Sequence, residues 1–159
     1  MQKTILIPTD FTVESLMLVK QALAQNQNYN LSIILLYSCF LTDSISDLLS
    51  YSPEKIIREN ISKNFNEALS IISNKFSEQI SDIYIEVFHG FSVSYLENFI
   101  KKHKIDHTYI PKSYKLKETD NSYDIVPFIL KSKIEYTELQ WGEDTYRFQK
   151  DNLTNLFLD

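Results

Sequence analysis

The apolar residues of this chain fall into two kinds of pattern. "TILIPTD" (residues 4–10) and "LSIILLYS" (31–38) are short, nearly continuous runs, which suit central strands covered on both faces. Between them Leu16, Val19 and Leu23 repeat at helical spacing, with Ala22 and Ala24 beside them. Thr12 is placed to cap that helix and Glu14 to add a negative charge to its first turn. Polar "NQNYN" closes it. Strand, helix, strand in this order is a βαβ unit, which requires a parallel sheet and a right-handed crossover.

Further on, a Ser/Asp-rich connection over 41–53 ends in Pro53, a residue suited to a first helical turn. Ile57, Ile61, Phe65, Leu69, Ile72, Phe76 and Ile80 then recur every three or four residues. This predicts one long amphipathic helix over 53–80. "DIYIEVFHG" alternates, as expected of a half-covered strand near a sheet edge. "SVSYLENFIKKHK" reads as a helix burying Val93, Leu96, Phe99 and Ile100, and "DHTYIPKSY" as a fourth strand stopped by Pro111. A polar, lysine-bearing stretch follows. "SYDIVPFILKS" predicts a short helix interrupted near Pro127, and "KIEYTELQW" a fifth, rather polar strand. The segment from Gly142 to Asp159 carries Phe148, Leu153, Leu156 and Phe157. It reads as a small amphipathic helix whose apolar face either packs back or meets a partner.

The 159 residues suit one domain of 1–141 with a tail of 142–159, and 43% hydrophobic with 23% charged residues is ordinary globular composition. A net charge of -5 argues against a nucleic-acid surface. No apolar run is long enough for a bilayer, and Lys3-"ILI"-Pro8 is not a secretory signal. Cys39 is the only cysteine, so no intrachain disulfide forms and a cytoplasmic location is expected. Its setting in "IILLYSCF" is that of a buried small apolar residue rather than a reactive thiol. The glycine count is two, Gly90 and Gly142, which leaves few places for a left-handed backbone or for close approach to a phosphate.

In its order of elements, with "ILIPTDFTVES" as opening, "LSIILLYS" as second strand, "VFHG" closing the third and "IDHTYIP" as fourth, residues 3–141 resemble the universal stress protein family. That resemblance implies a three-layer α/β/α sandwich with a five-stranded, mainly parallel sheet of order 3-2-1-4-5, usually dimeric and cytoplasmic. It also implies a place for adenine nucleotide, met by Asp10 within Pro8-Thr9-Asp10, with Leu36 as an apolar floor. Nucleotide-binding members carry a signature after the fourth strand: glycine, two residues, glycine, nine residues, then glycine with Ser or Thr. Its glycines let backbone N–H groups converge on phosphates at a helix N-terminus. Here the first two places hold Pro111 and Tyr114, and the third falls at Asp124-Ile125 or, with a shortened loop, at Asn121-Ser122. Pro111 donates no N–H, and the ring of Tyr114 would lie where phosphate should. The signature is absent.

Two readings of Asp10 follow: half of a ligand crevice at the strand ends, or an acceptor for backbone N–H groups at a strand-to-helix junction. Lys112, Lys115 and Lys117 are either charges that replace the glycines in holding an anion or a solvated loop face. His89, His103 and His107 do not converge in sequence as metal ligands do, and no nucleophile elbow, Walker loop or zinc-protease motif is present. The function expected is a universal stress protein-like module without ATP or another cofactor, acting as a homodimer and through an unidentified protein partner, with no catalytic residues. The alternative is a binding protein for adenine nucleotide or another anionic small molecule, using Pro8, Thr9, Asp10, Leu36, Lys112 and Ser122. A nucleotide hydrolase rests on fold analogy alone.

Overall fold

In the computed structural model residues 1–140 are described; the domain boundary and the tail expected at 141–142 and beyond lie outside them. Five strands, β1 (Gln2–Pro8), β2 (Asn30–Ser38), β3 (Ile80–Phe88), β4 (His107–Pro111) and β5 (Tyr136–Leu139), form one sheet of order β3-β2-β1-β4-β5. Every neighbouring pair is parallel. The strands therefore all end on one side, where the loops that build a site gather.

The alternation along β1 and β2 assigns the two faces. Ile5, Ile7, Leu31, Ile33 and Leu35 point to one core, shared with α1 (Met17–Gln25) and α4 (Lys63–Lys75) through Leu23, Phe65 and Ile72. Leu6, Ile34 and Leu36 point to the other, shared with α5 (Val93–Lys102) and α6 (Val126–Lys131) through Leu96 and Ile129. Both central strands are thus covered twice, as continuous apolar runs require. β3 is an edge strand with Asp82, Tyr84 and Glu86 on its more open side, and β5 closes the other edge.

Two expectations need correction. The stretch 53–80 is two helices, α3 (Pro53–Asn60) and α4, and not one. Ile61 is extended, with φ -84° and ψ 133°, and the Ser62 hydroxyl accepts the Phe65 N–H to cap α4. The row of apolar residues runs unbroken across the joint because both helices turn the same face to the sheet. Removing that cap in Ser62→Ala is expected to cost about 1 kcal/mol in denaturant unfolding. Pro127 does not interrupt a helix but opens α6, in the first turn where its missing N–H is harmless. The 41–53 connection also contains a short helix, α2 (Ile45–Leu49), capped by Ser44.

Candidate functional site

The junction between β1 and α1 lies at the centre of the strand ends, where β4 departs to the other side of the sheet. Pro8 and Thr9 are buried, and the Thr9 N–H donates to the Leu36 carbonyl at 2.9 Å. Leu36 is fully buried in the second core, packed with Leu6 and Ile110. The Thr9 hydroxyl accepts the Phe11 N–H at 3.1 Å, and Phe11 takes a left-handed backbone with φ 63°. The left-handed residues among those described are Phe11 and Lys104, and Gly90 is not one of them. The described glycine, Gly90, therefore does not mark a place where the backbone turns left. Phe11 holds its conformation through its ring, which stacks on Tyr37 at 4.2 Å between centroids and meets Phe65 edge-on at 5.5 Å.

Asp10 is half-buried and surrounded by donors from its own chain. Its Oδ1 accepts the Thr12 N–H at 3.0 Å and the Thr12 hydroxyl at 2.6 Å. Its Oδ2 accepts the Tyr114 hydroxyl at 2.5 Å and the Lys117 N–H at 2.9 Å. Burial, and then the charge of Asp10 itself, raise the Tyr114 pKa far above the ordinary phenol range, so the proton stays on Tyr114 and is donated to the carboxylate. Thr12 Oγ1 accepts the Ser15 N–H at 3.2 Å and so starts the 3-10 turn Glu14–Leu16 that leads into α1. Charge-assisted bonds of this kind are the strong ones, and here they tie the loop after β4 onto the loop after β1.

The remainder of that loop is also fastened. Lys112 projects an exposed side chain while its N–H donates to the Leu139 carbonyl at 2.9 Å. Leu116 is buried. Ser122 is buried as well, but it does not cap α6 as a shortened signature would have it. Its hydroxyl accepts the Thr119 N–H at 2.8 Å, and the backbone beside it bridges to Cys39. The N-cap position of α6 is Ile125, without a side-chain cap, and Asp124 just before it accepts the Val126 N–H with Oδ1 at 2.9 Å. Of the residues the sequence singled out, Pro8, Thr9 and Asp10 form one junction. Leu36 lies in the core, Lys112 on the rim towards β5, and Ser122 at the end of β2.

Beside this closed junction, over the ends of β2 and β3, lies a cavity of about 680 Å³ lined by Tyr37, Cys39, Asp47, Tyr51, Lys55 and His89, among others. His89 Nδ1 is 3.0 Å from the Cys39 carbonyl. A carbonyl only accepts, so Nδ1 carries the proton and Nε2 accepts from the Tyr51 hydroxyl. Burial pushes the Cys39 thiol up to about 11. At pH 8 the folded protein is expected to react with a disulfide reagent far more slowly than the urea-unfolded chain, followed by absorbance. Among the described residues no group of three or more His, Cys, Asp or Glu side chains is placed to hold a metal ion, and no helix is long and apolar enough to cross a membrane.

No family model and no curated protein matches the sequence. The architecture does have counterparts among solved structures. The universal stress protein UspA from Lactobacillus plantarum superposes with a TM-score of 0.54 at 14% identity, over 86% of this chain and 97% of that one. The chain has the universal stress protein fold. A protein of the universal stress protein family from Arabidopsis thaliana, solved with AMP bound, gives 0.51 at 13% identity over 89% and 94% of the two chains. A universal stress protein in complex with cAMP gives 0.50 at 17% identity over 86% and 96%. Sequence reasoning treated Tyr114 only as an obstacle in a glycine place of the universal stress protein signature. That its hydroxyl pairs with Asp10 left no local signal, since 104 residues separate the two. Phe11 and the Tyr51–His89 pair had none.

Proposed function

We propose that this chain is a universal stress protein-like module that has given up nucleotide binding and works in the cytoplasm through protein contacts, with itself or with another protein. The observation that carries this reading is the occupation of Asp10 by its own chain. Both carboxylate oxygens accept two hydrogen bonds each, one of them donated by the Tyr114 hydroxyl. A nucleotide using Asp10 would have to displace the Tyr114 hydroxyl and the Lys117 amide, and no glycine loop repays that loss. Protein contacts are supported by α2, which presents Ile45 and Leu49 at 75% and 85% exposure, more apolar surface than a loop helix needs.

The second reading, an adenine nucleotide or other anionic small molecule, is favoured by one feature: the cavity over β2, of a size that suits small ligands. Thermal-shift and native mass spectrometry with ATP, AMP and cAMP separate the two. No shift and no adduct are expected. A shift with ATP that disappears in Asp10→Ala overturns the nucleotide-free reading through the crevice. A shift that survives Asp10→Ala overturns it too, through a site that does not depend on Asp10.

A further inference from the structure

The amino end of the sheet, opposite the Asp10 junction, carries a second cavity. It has about 300 Å³ and lies between the last turns of α5, the start of β4 and the loop that joins α6 to β5. Its walls are apolar, since Ile100, Ile105 and Ile134 line it while packing against the α5/α6-side core. Thr108 lies at its floor. β4 alternates between the two cores, with Tyr109 in one and Ile110 in the other. The Thr108 side chain therefore shares the face of Ile110 and points towards the three isoleucines. Thr108 is fully buried, and its hydroxyl has no hydrogen-bond partner among the described residues. Valine would fill that place with the same shape and without the cost of a buried, unpaired hydroxyl. A threonine there gains a use once a ligand group meets it.

The rim carries charges of both signs that the fold leaves uncommitted. Lys101, Lys133 and Glu135 all line the cavity, and none of them forms an ion pair among the described residues. Glu97 accepts only the Lys133 N–H, at 3.4 Å. Asp106 beside them is already taken by the Thr4 N–H at 2.8 Å.

A simple anion at this rim would meet Glu97 and Glu135, and a simple cation would meet Lys101 and Lys133. One molecule with both charges complements both sets. The isoleucine walls ask for methylene groups behind those charges, and the Thr108 hydroxyl asks for a neutral polar tip at their end. We propose that this cleft binds a neutral polar α-amino acid of the length of glutamine. Lys101 and Lys133 hold its carboxylate, Glu97 and Glu135 its ammonium, and Thr108 Oγ1 its side-chain amide. The cavity is at the small end of the range for ligand sites, which suits a molecule of this size. The site shares no residue with the Asp10 junction and makes no use of nucleotide.

The test titrates L-glutamine into the full-length, nitrogen-15-labelled protein and follows its amide signals. Saturable shifts are expected at Lys101, Thr108 and Ile134, and none at Asp10 or Thr12. L-Leucine, which has no polar tip, should bind ~10-fold more weakly or worse, and so should glutaramate and γ-aminobutyramide, which lack the ammonium and the carboxylate respectively. Thr108→Val should weaken glutamine by a similar factor and leave leucine unchanged. Lys133→Ala, at an exposed position that leaves the core intact, should weaken glutamine and spare γ-aminobutyramide. The absence of a saturable shift with glutamine overturns the proposal. So does leucine or either half-charged analogue binding as tightly as glutamine, an affinity unchanged in both variants, or shifts confined to the carboxyl end of the sheet.

Discussion

Replacing Tyr114 by phenylalanine is expected to lower the stability of the fold by about 1.5–3 kcal/mol, read as a fall in urea midpoint at constant slope. The ring stays, so its packing changes little, and what is lost is one hydroxyl donated at 2.5 Å to Asp10 Oδ2. A carboxylate half removed from water and deprived of a donor costs more than an ordinary hydrogen bond, because the charge remains while its partner goes. Oδ2 retains only the Lys117 amide among its two donors, and the loop between β4 and α6 loses a side-chain tie to the β1–α1 junction. If Tyr114 were merely a solvated loop residue, the change would stay within about 0.5 kcal/mol. Asp10→Asn provides the companion measurement, since a neutral amide still accepts at one atom but can no longer draw the phenol proton by charge.

The same cluster explains what the sequence did and did not disclose. Strands β1 and β2 were readable because burial on both faces leaves no room for polar residues, so the pattern is imposed by the core. The edge position of β3 was readable from its alternation for the complementary reason. The break at Ile61–Ser62 was not, because periodicity reports which side of the chain faces the core and not whether the backbone is continuous. Pro127 was misplaced for a related reason: proline weakens a helix interior and suits a helix start, and only the boundary distinguishes the two. At the site, the missing glycines and Asp10 were both legible one at a time. Their joint consequence, a tyrosine hydroxyl brought 104 residues along the chain onto the aspartate, is a tertiary contact that no local pattern encodes.

Phe11 is expected to give the largest single-residue effect at the junction, with an unusual order among its variants. Phe11→Ala removes a ring that is 5% exposed, stacked on Tyr37 and edge-on to Phe65, and losses of this kind run to about 3–5 kcal/mol. Alanine must still adopt φ 63°, which for an L-residue with a β-carbon costs about 1–2 kcal/mol. Glycine deletes the same ring without that strain. Phe11→Gly should therefore be as stable as Phe11→Ala or more so by about 1 kcal/mol, the reverse of the order found where the backbone is right-handed or extended. Chemical denaturation of the three proteins side by side decides it. If alanine proves the better tolerated, the left-handed turn after Asp10 is not a fixed feature of the folded chain, and the geometry that delivers the Thr12 amide to Asp10 Oδ1 at 3.0 Å must be held by Thr9 and Tyr114 rather than by the seated ring of Phe11.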